Sequence, residues 1–143
     1  MESKGNASLS SSYESLSESM KNFLKNLTAE HDFCHGFKES IAEPGGRERL
    51  KDAIKNNPPV IHPVIRTHPI TKRKAIFVNP LFTTKINELS KSESDALLEF
   101  LYSYSITPEF TCRFSWTPNS IAIWDNRCTL HKPINDYFPE HRL

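Results

Sequence analysis

His131 and Arg142 stand eleven residues apart near the end of this chain, and their side chains are suited to two halves of one chemistry. A neutral imidazole is a ready ligand for first-row divalent metals. A guanidinium keeps its charge and donates two parallel hydrogen bonds to a carboxylate. By spacing alone a single histidine is more often a core or surface residue than a ligand, and a penultimate arginine is usually an exposed charge. Trp124, Asp125, Asn126 and Arg127 lead into His131 and offer polar groups that could buttress a ligand-bearing loop through hydrogen bonds. His31 and His35 lie one helical turn apart, but no further ligands accompany them.

The elements that must position these groups are short. Met20, Phe23, Leu24 and Leu27 repeat at helical spacing and predict a helix over Ser8 to Ala29. Glu43-Pro-Gly-Gly is a breaker, and a second short helix is expected from Arg47 to Asn56, stopped by Pro58-Pro59. Val60 to Arg66 and Ala75 to Val78 predict two strands of a hairpin, joined by the turn that begins at His68-Pro69. Ser90-Lys-Ser-Glu93 is a capping box that opens a helix with Leu97, Leu98, Leu101 and Tyr104 facing inward, ending before Pro108. Phe110, Cys112, Phe114 and Trp116 alternate with polar residues, the period of a half-buried strand, and Ile121 to Trp124 is expected to be the strand that delivers the terminal segment.

The order of several motifs resembles one known family. Trp124-Asp125-Asn126-Arg127, His131, Asp136-Tyr137 and Arg142 look like the C-terminal signature of the taurine dioxygenase family. The stretches Asn57 to Pro69, Ala75 to Asn79, Phe82 to Ile86, and Tyr13 to Ser17 leading into Leu27 to Phe33, follow the same family in order. The resemblance covers nearly everything from Ser8 onward. It implies a mostly β, α+β architecture, a partial double-stranded β-helix of the jelly-roll type, with residues 1–143 forming one incomplete domain, its C-terminal part. It also implies Fe(II) and 2-oxoglutarate as cofactors, O2 as co-substrate, and a taurine-like sulfonate or related small acid as substrate. By the same resemblance His131 is a metal ligand, Arg142 holds the distal carboxylate of 2-oxoglutarate, Phe37 and Phe82 line the substrate pocket, and Trp124, Asp125, Asn126 and Arg127 support the metal-bearing loop.

The sequence departs from that pattern in three places. The family's facial triad takes its first histidine and its carboxylate from a His-x-Asp or His-x-Glu motif, and none occurs in these 143 residues. Lys4 falls near the family's 2-oxoglutarate-contacting threonine, and the chain stops at Leu143, before a further strand that carries another arginine. Two readings therefore stand side by side. One is a dioxygenase of the sulfonate-hydroxylating type, in truncated form. The other is a non-catalytic fragment or pseudogene product acting, if at all, through protein interaction, with open sheet edges that favour self-association.

Composition bounds the remaining classes. Ten prolines and 37% hydrophobic residues suit a loop-rich β domain, and 143 residues suffice for one core. A net charge of +1 supplies no field for nucleic acid or an anionic membrane. No apolar run approaches a bilayer span, and the start carries no secretory pattern, so a cytoplasmic protein is expected. Cys34, Cys112 and Cys128 are odd in number and form no Cys-x-x-Cys pair, which suits free thiols in a reducing compartment. The Asn6 and Asn26 glycosylation sequons are expected to be inert without a secretory signal.

Overall fold

A computed structural model describes residues 3–134, with side chains described for 5–132. The N-terminal strand β1 (Ser3–Ser8) runs antiparallel to β7 (Thr111–Ser115) on one side and to β8 (Thr129–Ile134) on the other. A second sheet has the order β3-β2-β6, built from β2 (Thr28–His31), β3 (Val60–Pro63) and β6 (Thr83–Ile86), and it too is antiparallel. Strands β4 (Ile65–Thr67) and β5 (Lys74–Ile76) form a hairpin about the expected turn, but the single strand expected over Val60 to Arg66 divides at Val64, and its first part is β3, paired with β2 in the other sheet. Small antiparallel sheets among helices make this the partial jelly roll that the resemblance implies.

The helix expected over Ser8 to Ala29 is interrupted. It forms α1 (Leu9–Glu14) and α2 (Glu18–Leu24), and Thr28 and Ala29 already belong to β2. Serine chemistry explains the break. The Ser8 hydroxyl accepts from Ser11 N–H at 3.3 Å to cap α1, and the Ser17 hydroxyl accepts from Met20 N–H at 3.2 Å to start α2 afresh. The helix expected from Arg47 likewise divides at Leu50 into α5 (Gly46–Arg49) and α6 (Lys51–Asn56), which follow the short α3 (Phe33–Gly36) and α4 (Lys38–Ala42). Helix α7 (Lys91–Ser105) starts as its capping box predicts, with the Glu93 carboxylate accepting from Ser90 N–H at 2.9 Å.

The core gathers between these helices, the β3-β2-β6 sheet and the hairpin. Leu24, Ala29, Val64, Ile76, Ile86 and Leu101 are essentially sealed from solvent, with Leu98 and Val78 beside them. Ser94 is buried on α7 and accepts from Ile86 N–H at 2.8 Å, which ties the helix to the end of β6.

Two further strands differ from expectation. All five residues of β7 are exposed rather than half-buried, because β7 is an edge strand and no second sheet covers it among the described residues. Ile121 to Trp124 is not a strand, and Ile121 and Ile123 are 86% and 93% exposed. The strand that carries His131 is β8, reached only after a turn at Asp125–Cys128, where Cys128 N–H donates to Asp125 O at 3.2 Å.

Candidate functional site

His131 lies on β8 directly opposite Asn6 of β1, and cross-strand partners in an antiparallel pair point to the same face. Its side chain is exposed, and the Trp124 ring packs on it with centroids 5.0 Å apart. The Asn6 Oδ1 atom is buried and has no hydrogen-bond partner among the described residues. Trp124 is itself tethered, its indole N–H donating to Asn126 Oδ1 at 3.0 Å. Asn126 thus acts on the tryptophan, and Trp124 meets His131 through a ring contact.

Asp125 and Arg127 form a closed unit within the same turn. Arg127 donates from Nη2 to Asp125 Oδ2 at 2.6 Å and from Nε to Oδ1 at 2.9 Å, while its backbone N–H reaches Oδ1 at 2.9 Å. A third partner comes from 57 residues away: His68 Nε2 lies 3.0 Å from Asp125 Oδ2. These bonds, Arg127 foremost, hold the Asp125 carboxyl far below the usual carboxylate range.

Sequence reasoning placed His68 only in a turn. It is 6% exposed, and its Nδ1 accepts from Ile70 N–H at 3.3 Å and Thr71 N–H at 3.1 Å. Nδ1 therefore carries no hydrogen, and Nε2 carries the one that is donated to Asp125. Sequence offered a faint signal in the His68-Pro69 pair at a strand end, but nothing that named its partner.

Among the described residues, His68, Asp125 and Cys128 are the one group of three or more possible metal donors, with ligand atoms within 4.8 Å of one another. Their hydrogen bonding argues against a metal there. An ion at His68 Nε2 would need the ring hydrogen moved to Nδ1, where two backbone N–H groups already point, and the Asp125 oxygens are occupied by Arg127. No such group includes His131. The described residues thus offer one imidazole on β8 and do not fit a three-ligand Fe(II) centre.

The two expected pocket aromatics do meet. Phe37 follows α3 and stacks on Phe33 at 4.5 Å, and Phe82, just before β6, lies 6.1 Å from Phe37. Gly36 permits this approach, since a Cβ there would stand 2.7 Å from the Phe82 ring and 2.9 Å from Leu81 O. Phe37 also lines an open cleft with His35, Lys38, Glu39, Pro80 and Leu81. This aromatic group belongs to the β3-β2-β6 side, whereas Trp124 and His131 belong to the β7-β1-β8 sheet. Arg142, with Asp136 and Tyr137, lies outside the described residues.

His31 does not pair with His35. It is buried on β2, its ring centroid 5.4 Å from that of His62 and 5.7 Å from that of Phe77, and its Nε2 has no partner among the described residues. Burial, and then the neighbouring His62, pushes its pKa below the ordinary imidazole value. No helix of the described residues is long and apolar enough to cross a membrane.

Comparison with known proteins places this arrangement. The chain is 36% identical over 134 residues to an alpha-ketoglutarate-dependent sulfonate dioxygenase of Saccharomyces cerevisiae, covering 91% of the chain but 31% of that protein. It is 34% identical over 140 residues to an alkylsulfatase of Acinetobacter baylyi, covering 96% of the chain and 44% of that protein. The crystal structure of a taurine dioxygenase from Burkholderia xenovorans superposes with a TM-score of 0.76 at 31% identity, over 96% of this chain and 43% of that one. The chain therefore spans less than half the length of these relatives. Residues 6–143 match the family described as "Taurine catabolism dioxygenase TauD, TfdA family", and the chain belongs to that family.

Proposed function

We propose that this chain is the C-terminal section of an Fe(II)/2-oxoglutarate-dependent dioxygenase of the taurine and alkyl-sulfonate hydroxylating type. His131 is its one metal ligand, and Arg142 is the clamp on the distal carboxylate of 2-oxoglutarate. The observation that carries this reading is the exposed His131 on β8, backed by Trp124, within the family's C-terminal signature. When bound, the iron would supply the activation of O2 that closed-shell carbon cannot achieve unaided. The chain's own residues would orient and bind. Trp124 holds the imidazole plane, the guanidinium of Arg142 fixes the cosubstrate through a bidentate pair, and Phe37 with Phe82 gives an apolar wall to an alkyl sulfonate.

The other two ligands come from a segment bearing the family's His-x-Asp motif. An anaerobic titration with Fe(II) and 2-oxoglutarate, read by the visible charge-transfer band, tests this. The expected result is no band from the 143 residues alone. A band is expected on adding a polypeptide that carries the His-x-Asp segment, and it should move when taurine is added. A band that persists in a His131→Ala mixture overturns the ligand assignment, and a folded mixture with no band overturns the dioxygenase reading.

A second reading, a non-catalytic chain that self-associates, is favoured by the exposed Ile121 and Ile123 and by the edge position of β7 among the described residues. Sedimentation equilibrium separates the two: this reading expects a mass that rises with concentration, and a monodisperse monomer sinks it.

A further inference from the structure

We propose that His68 is a positioning residue, which from the β4–β5 turn fixes the Asp125–Cys128 turn and, through it, the Trp124 ring against His131. The argument begins with the tautomer. Two backbone N–H groups, from Ile70 and Thr71, point at His68 Nδ1, so the ring hydrogen sits on Nε2 and is donated to Asp125 Oδ2 at 3.0 Å. The ring cannot swing away without releasing both amides, and it is buried.

The turn that holds His68 is anchored on its far side. His68 N–H donates to Arg73 O at 2.8 Å and Lys72 N–H donates to His68 O at 3.0 Å. Arg73 in turn makes a two-pronged ion pair with Glu14 of α1, with bonds of 2.9 and 2.8 Å. The receiving turn is anchored as well, since Leu9 N–H at the start of α1 donates to Cys128 O at 3.0 Å. Asp125 thus joins two rigid pieces, and Trp124, its immediate neighbour in sequence, carries the ring that packs on His131 at 5.0 Å.

A metal ligand needs one rotamer of its imidazole held. A hydrogen bond across 57 residues can supply that restraint where local sequence cannot. The inference rests on the dioxygenase reading for the use to which His131 is put; the contact itself does not depend on it.

Two substitutions divide the functions of the ring. His68→Asn places an amide oxygen near the Nδ1 position, where it can still accept from Thr71, but it cannot reach Asp125. His68→Gln places an amide N–H near the Nε2 position and gives up the turn acceptor. The measurements are amide exchange by NMR and the nuclear Overhauser contact between the Trp124 indole and the His131 ring, made on the chain without metal. In His68→Asn the expected result is faster exchange of the Arg127 amide, by about tenfold or more, and loss of the Trp124–His131 contact, with Thr71 still protected. In His68→Gln the contact and the Arg127 amide are retained, and Thr71 exchanges faster. The proposal is overturned if His68→Asn leaves Arg127 and the contact as in the parent. It is also overturned if either variant speeds exchange of the Leu101 amide in α7 as much as that of Arg127, which would make His68 a residue of the whole fold. Failure of the dioxygenase reading looks different: no iron complex forms in the assembled mixture while the contact remains intact.

Discussion

The sheet β3-β2-β6 and the sheet β7-β1-β8 have the same number of strands and the same antiparallel pairing, yet they are built for opposite ends. The first is closed over by α2 and α7, with Leu24, Ala29, Ile86 and Leu101 at or near zero exposure. The second carries His131 and leaves every residue of β7 in water. The packed core lies against one sheet and the proposed metal ligand stands on the other. Helix α1 and the His68–Asp125 bond tie them together, so the placement of His131 depends on a core to which it does not belong.

The largest effect that would break this comparison is a core truncation set against a surface one. Leu101→Ala removes a fully buried side chain from α7 and is expected to cost about 2–5 kcal/mol in urea unfolding. Phe114→Ala on β7 removes a ring that is 37% exposed and packs edge-to-face on Trp116, and is expected to cost under about 1 kcal/mol. Equal losses at the two positions would mean that β7 is as much a part of the cooperative unit as α7.

The same division explains what the sequence could reveal. The β4–β5 hairpin and helix α7 were legible because their signals are local: β-branched runs about a turn, and a capping box whose reach-back bond is present. Strand β1 was not. Ser3–Ser8 has no strand propensity of its own and is held extended by partners more than a hundred residues away on both sides. Ile121 to Trp124 misled in the other direction, since its alternating isoleucines match a strand period and yet no strand forms there. At the candidate site, the family pattern proposed His131, Trp124 and Asp125 because their order is local. His68 escaped because its contribution is a single bond between distant turns. The His31–His62 contact escaped for the same reason, each ring lying on a different strand of one sheet.

That histidine contact gives a pH dependence confined to the packed sheet. Burial, followed by the nearby His62, lowers the pKa of His31, and burial lowers that of His62. The unfolded chain then binds these protons more readily than the folded one, so stability is full above the ordinary imidazole value of about 6.5 and declines as pH falls through it toward the lower folded values. His31→Leu should flatten this acid-side decline while leaving a residue of it from His62. Urea midpoints compared at pH 7.5 and pH 5 check the point, and an unchanged slope in the variant would remove His31 from the account.

The smallest effect expected lies in the turn that links the two sheets. Lys72 adopts a left-handed backbone with φ of 60°, a conformation that crowds Cβ against the carbonyl and costs a non-glycine residue about 1–2 kcal/mol. Part of that cost is offset by the bond from Lys72 Nζ to Pro69 O at 2.7 Å, which is exposed and correspondingly weak. Lys72→Gly relieves the crowding but adds freedom to the unfolded chain, so the net gain expected is about 0.5 kcal/mol. Lys72→Ala keeps the crowding and loses the bond, and should therefore be less stable than the parent. Thermal unfolding of the two variants gives opposite signs if the turn is strained as described. Because His68 stands at the head of this turn, the glycine variant should also retain the Trp124–His131 contact, whereas a glycine that loosens the turn enough to abolish the contact would show that Lys72 stiffens the link as well as straining it.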